Sequence, residues 1–208
     1  GPADLDRIAA VAEPELSPDG EHLAYSVTTT NVEADKRQSD LWRVGYDGQD
    51  RTQLTATPKH DEWAPAWSPD GRWLAYRSMP RAGYEADRYR LVVYDRASRA
   101  RRTLTESFDR SVDVAVFSAD SKTLYFTAED RGVSPVFSVP VAGGAVSTVL
   151  AGPGTIGDLG VARDGRTLVA TLATLTHPAE VVRFGVDGKG LARVTRVNDE
   201  FLKGFALA

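Results

Sequence analysis

Ala66-Trp-Ser-Pro-Asp-Gly71, running directly into Arg72-Trp-Leu-Ala-Tyr-Arg77, reads as a tight turn leading into a strand. Proline fixes φ at the first corner, aspartate accepts from nearby backbone amides, and glycine takes a positive φ that other residues resist. The same unit appears as Glu15-Leu-Ser-Pro-Asp-Gly20 before Glu21-His-Leu-Ala-Tyr-Ser26, and as Val116-Phe-Ser-Ala-Asp-Ser121 before Lys122-Thr-Leu-Tyr-Phe-Thr127. Val161-Ala-Arg-Asp-Gly165 before Arg166-Thr-Leu-Val-Ala-Thr171 is the fourth copy. Its aspartates fall at 19, 70, 120 and 164, so the intervals are 51, 50 and 44 residues. A fixed turn at this period marks a repeat architecture with one supersecondary unit per copy.

After each turn, apolar residues alternate with others (Leu23, Tyr25; Leu74, Tyr76; Leu124, Phe126; Leu168, Ala170), which is the period-2 pattern of a strand. Each copy then carries a second hairpin. Asp40-Leu-Trp-Arg-Val44 turns at Asp47-Gly48, Arg90-Leu-Val-Val-Tyr94 at Ala97-Ser98, Val136-Phe-Ser-Val139 at Gly143-Gly144, and Glu180-Val-Val-Arg-Phe184 at Asp187-Gly188. Short closing strands are expected at Gln53-Leu-Thr55, Thr103-Leu-Thr105, Ser147-Thr-Val149 and Arg193-Val-Thr195. The expectation is an all-β fold, a β-propeller of about four four-stranded blades, near residues 12–56, 62–106, 111–150 and 156–196, with 197–208 an exit strand or tail. A two-sheet sandwich would not repeat one turn at such regular long intervals. The exception to the β pattern is 4–11, where Asp4 precedes Leu5, Ile8 and Ala9 at helical spacing and predicts a short lead-in helix or turn.

The 208 residues contain no cysteine, and His22, His60 and His177 lie too far apart in sequence to suggest metal ligation. Neither a metal nor a cofactor is expected. The formal charge of −4 provides no basic stripe, so nucleic acid is not an expected partner. Arg96, Arg99, Arg101 and Arg102 cluster between strand-like segments and read as a solvated turn rather than an anion site. No apolar run approaches a membrane span and no signal-peptide pattern opens the chain. Gly1-Pro2 reads as the remnant of a cleaved tag, so an export signal could have preceded it. A soluble protein of the bacterial cytoplasm or periplasm is expected.

Leu/Trp-Ser-Pro-Asp-Gly followed by a strand resembles the repeat of the propeller domains in the prolyl oligopeptidase family of serine peptidases, and also that of the Tol-system propeller of bacterial envelopes. Met79-Pro-Arg-Ala-Gly-Tyr-Glu-Ala-Asp-Arg-Tyr-Arg-Leu91 favours the first, together with Phe108-Asp-Arg-Ser-Val112, Leu124-Tyr-Phe-Thr-Ala-Glu-Asp130 and His177-Pro-Ala-Glu180. These segments resemble later blades of dipeptidyl-peptidase V-like and acylaminoacyl-peptidase-like enzymes, whereas 8–48 resembles a first blade. An internal deletion is therefore expected, and 196–208 resembles the exit toward a hydrolase domain. Such enzymes carry a Gly-x-Ser-x-Gly nucleophile elbow, and that motif does not occur in these 208 residues. No catalytic residue is assigned.

The resemblance implies a non-catalytic propeller portion that, in an intact enzyme, covers the active site and screens peptide substrates. The alternatives are a Tol-type protein-binding module and a truncated or engineered propeller that closes by self-assembly. Within 79–91, Tyr84, Glu85, Asp87 and Arg88 bring charges that a turn does not need, and the resemblance implies that such a loop helps shape a substrate cavity, which makes Tyr84, Glu85 and Arg88 the candidate substrate-binding residues; the plainer reading is a solvated loop with local Glu–Arg pairing. Residues 31–37 read as a solvent-exposed hairpin loop. The recurring aspartates read as turn residues rather than metal ligands, and Trp42, Trp63, Trp67 and Trp73 as packing residues rather than stacking platforms. About four blades with the curvature of a larger ring would leave two end faces open, so a homodimer forming an eight-bladed ring is expected.

Overall fold

The computed structural model describes residues 4, 7–33, 35–84 and 86–205. They form four four-stranded antiparallel sheets, each a simple meander in sequence order, as propeller blades require. The chain divides into two compact units, Gly1–Asp109 and Arg110–Ala208, with two blades in each.

In the first unit, β1 (Ala10–Leu16), β2 (His22–Asn31), β3 (Lys36–Gly45) and β4 (Thr52–Gln53) make one blade. The next comprises β5 (Asp61–Trp67), β6 (Trp73–Met79), β7 (Arg90–Asp95) and β8 (Arg101–Thr103). β5 packs against β1, β2 and β3, and a core of Ala24, Leu41, Trp67, Leu74, Tyr76 and Val92 fills the space between these blades. In the second unit, β9 (Val112–Phe117), β10 (Thr123–Ala128), β11 (Val136–Pro140) and β12 (Ser147–Leu150) form one blade. β13 (Thr155–Val161), β14 (Thr167–Ala173), β15 (Glu180–Gly185) and β16 (Ala192–Arg193) form the other. Here β13 contacts β9 and β10, and Ile156, Leu168, Val182 and Phe184 pack with Tyr125 and Val136. β14 alternates buried and half-buried positions along its whole length, as its sequence pattern predicts.

The repeated turn has one hydrogen-bond scheme. Ser68 Oγ donates to Asp70 Oδ1 and accepts from the Trp73 amide, while Asp70 Oδ1 also accepts from the Arg72 amide. Ser17 with Asp19 and Ser118 with Asp120 repeat this arrangement. Where Ala162 replaces the serine, Asp164 takes over by accepting from the Arg166 and Thr167 amides. Hydrogen bonds from Ser17 and Ser118 hold Asp19 and Asp120 below the usual carboxylate range, and at Asp164 the Arg166 amide is the main cause.

Three of the closing strands end earlier than their apolar pattern suggests, at Gln53, Thr103 and Arg193. A side chain replaces the ladder at this point: Thr55, Thr105 and Thr195 each accept, through Oγ1, the amide of the third strand (Leu41, Leu91 and Val181) at 2.8–2.9 Å. The Leu-Thr or Val-Thr pair therefore terminates pairing in these blades. Of the four tryptophans, Trp67 lies in the core and donates to the Glu15 carbonyl, whereas Trp42, Trp63 and Trp73 are half-buried. The 4–11 helical reading lies partly outside the described residues, and its end belongs to β1. In 197–208 the structure forms a short helix, α1 (Asp199–Leu202).

Candidate functional site

Asp61, buried at the start of β5, ties together the segments on either side of a surface cleft of the first unit. Its Oδ1 accepts from the Ser39 amide of β3 at 2.8 Å, and its Oδ2 from the Gly83 amide in the β6–β7 loop at 3.0 Å. One carboxylate thus fixes a hairpin of the first blade and a loop of the second. Buried charge is tolerated when its acceptors are satisfied by such amides.

β2 and β3 are each ten residues long, with Thr28 Oγ1 and Ser39 Oγ 2.7 Å apart across the pair, and their tip overhangs one side of the cleft. The opposite side is the 80–84 segment. The Ala82 amide donates to the Lys59 carbonyl at 2.7 Å, and Gly83 turns the chain with φ +73°. Arg81 lies over the Tyr84 ring at 4.2 Å, and its Nε donates to Asp87 Oδ2 at 2.7 Å. That bond holds the Asp87 carboxyl below its ordinary range. The loop is therefore a built structure rather than a loose insertion. Between the two sides lies a cleft of about 760 Å³, lined by Asn31, Lys36, Arg37, Lys59 and Tyr84 among others.

Of the three candidate residues from the sequence, Tyr84 is on the cleft wall and half exposed. Glu85 lies outside the described residues. Arg88 does not line the cleft: its Nη1 and Nη2 donate to the carbonyls of Phe108 and Glu106, tying the loop to the segment after β8. Lys36, Arg37 and Lys59 were not singled out, because residues 31–37 read as a solvated hairpin tip and Lys59 as part of a connection. Among the described residues these three side chains have no ion pair, while Asp35 is the one described carboxylate on the lining. The described lining thus offers three cations and, at Tyr84, an aromatic face and a hydroxyl.

Asp19, Glu21 and His22 bring potential ligand atoms within 4.8 Å of one another, yet Asp19 Oδ1 is committed to its turn. Among the described residues no helix is long and apolar enough to cross a membrane.

No family model matches the chain. In sequence it is related to dipeptidyl-peptidase 5 of Porphyromonas gingivalis, 27% identical over 188 residues that make up 89% of this chain and 27% of that protein. The chain thus spans about a quarter of the length of this curated relative. In fold it is similar to TolB from Acinetobacter baumannii (TM-score 0.68, 16% identity, 89% of this chain and 43% of the other). It is equally similar to a puromycin-hydrolyzing peptidase of Mycobacterium tuberculosis (TM-score 0.68, 15% identity, 90% of this chain and 29% of the other). These likenesses establish the blade architecture, and the sequence relationship runs to a dipeptidyl peptidase.

Proposed function

We propose that this chain is the non-catalytic propeller portion of a serine dipeptidyl peptidase of the prolyl oligopeptidase type, covering the active site of the intact enzyme and screening its peptide substrates. The sequence relationship to dipeptidyl-peptidase 5 across nearly nine-tenths of the chain carries this reading. It is supported by the absence of Gly-x-Ser-x-Gly from these 208 residues and by a cleft that offers three cations and an aromatic face. The 79–91 segment, with Tyr84 on the cleft wall, Arg88 anchoring it and Glu85 in its sequence, is the proposed substrate-contacting element. Likeness to TolB is one of fold, so the protein-binding alternative has no separate observation in its favour.

Two measurements test the reading. A serine-directed fluorophosphonate should leave the 208-residue chain unlabelled beyond a heat-denatured control, because no activated serine is expected in it. In the full-length peptidase, Tyr84→Ala should raise KM for peptide substrates several-fold with a smaller change in kcat, the signature of lost substrate binding. A stoichiometric adduct on the native chain, or unchanged KM, counts against it.

A further inference from the structure

Away from that cleft, the turn between β7 and β8 closes over the edge of β4 and leaves a pocket of about 320 Å³. Four arginines line it: Arg43 from β3, and Arg96, Arg99 and Arg101 from the turn and β8; among the described residues no carboxylate does. Elsewhere in the unit Arg72, Arg77, Arg81, Arg88 and Arg90 each pair with an acid. None of the four pocket arginines forms an ion pair among the described residues.

Two of them are held in place by groups that leave their charge intact. Arg96 Nη1 donates to the Gly71 carbonyl at 2.9 Å with its guanidinium 5.0 Å from the Trp67 ring. Arg101 donates to the Leu54 carbonyl at 2.8 Å and to Thr57 Oγ1 at 3.1 Å. Longer-range attraction reaches Arg96 from Asp19 and Arg101 from Asp40 and Glu62. Arg43 and Arg99 have no side-chain partner among the described residues.

The other blades act as an internal control. The amide of residue 96 bonds to the carbonyl of residue 72, and the residues making the same bond elsewhere are Tyr46, Val141 and Val186. An uncharged side chain therefore satisfies the blade at this position. Likewise Arg99 sits at φ +60°, while the corresponding turns of the other blades use glycine in the left-handed region, at Gly48, Gly143 and Gly188. Neither arginine is required by the repeat, and one of them occupies a backbone conformation that L-residues resist.

We propose that this pocket binds a small multivalent oxyanion of the phosphate class, with Arg43 and Arg99 as the free ligating guanidiniums and Arg96 and Arg101 as its fixed cationic walls. Planar guanidiniums match such oxyanions through paired N–H donors, and converging cations without a directly paired carboxylate favour a ligand carrying more than one negative charge. This site is separate from the peptide-facing cleft and does not depend on the function proposed above.

The test is calorimetric titration of the chain with inorganic pyrophosphate at low ionic strength, with acetate as a monovalent control. Pyrophosphate should bind and acetate should not, and affinity should fall as salt rises. Arg99→Gly removes a guanidinium while suiting the positive φ, so it should weaken binding about tenfold without lowering the melting temperature; Arg43→Gln should weaken binding similarly. Lys36→Gln, in the other cleft, should leave binding unchanged. Absence of heat at millimolar pyrophosphate, unchanged affinity in both arginine variants, or an equal loss in Lys36→Gln would overturn the proposal.

Discussion

Gly48 and Gly188 occupy the same place in the second hairpin of their blades. Each follows an aspartate whose Oδ1 accepts the amide two residues on, and each has a positive φ, +83° and +77°. They differ in surroundings. A Cβ on Gly48 would meet nothing within 4 Å, whereas on Gly188 it would lie 1.8 Å from the Val149 carbonyl oxygen. Gly48→Ala should therefore cost about 1 kcal/mol, from backbone conformation alone. Gly188→Ala should cost about 1–3 kcal/mol more, because the end of β12 has to move. Denaturant melts of the two variants check this, and equal midpoints would mean that β12 yields freely. The Asp-Gly pairs were legible in the sequence because a turn is decided by the residues inside it. Glu13, Ala64 and Asp158, at φ +54°, +50° and +47°, were not legible. They sit in bulges of first strands, and Glu13 Oε2 accepts the Ala64 amide of the next blade at 2.7 Å. That contact spans 51 residues and has no local signal.

At the scale of elements, β5 carries a buried carboxyl into the packing between the two blades of the first unit. Glu62 is 2% exposed, one of its oxygens lacks a hydrogen-bond partner, and burial pushes its pKa up to about 7, against the Thr55 and Thr57 hydroxyls and the Arg101 charge. The unfolded chain releases this proton near 4.5, so between about pH 4.5 and 7 the folded state holds more protons than the unfolded one. Stability contributed by this group therefore falls as pH rises through that window and stays low above it. The total is about 3 kcal/mol. Glu62→Gln should flatten the decline, so that thermal melts from pH 5 to 8 show the variant gaining on the wild type as pH rises. Comparing the two chains cancels the contributions of groups remote from Glu62, such as the turn aspartates. Parallel profiles would mean that Glu62 is solvated in the native protein. Both surface pockets were similarly out of reach of sequence reading. The cleft joins 29–38 to 80–84 and the arginine pocket joins 43–54 to 94–101, so each exists only once two blades have packed. The 79–91 loop was recognisable because its charges exceed what a turn uses, but Arg88's role as an anchor depended on carbonyls 18 and 20 residues away.

For the whole molecule, the question is what covers β1 of the first blade and the apolar side chains that follow β15. β5 is buried or half-buried at every position because the first blade packs on it, but its counterpart β1 is exposed at all seven. Val11 and Leu16 are among those exposed side chains, with Ile8 just before them. At the other end Val194, Val197, Phe201 and Phe205 are exposed, and α1 buries none of its residues. A blade normally packs both faces, so exposed apolar side chains at these positions call for a cover. We propose that a second copy of the chain supplies the cover, head to tail, so that two sets of four blades close an eight-bladed ring by two-fold symmetry. Light scattering over a dilution series should give twice the 22.5 kDa chain mass down to low concentration, because each chain would bury both ends in the partner. Exposed apolar side chains at both ends should also act together: Val11→Asp, at the first end, should dissociate the pair as effectively as Phe201→Asp, at the last. A well-folded species of single-chain mass in the wild type would overturn the two-chain ring, and further blades on a longer polypeptide would then be the better candidate for covering these ends.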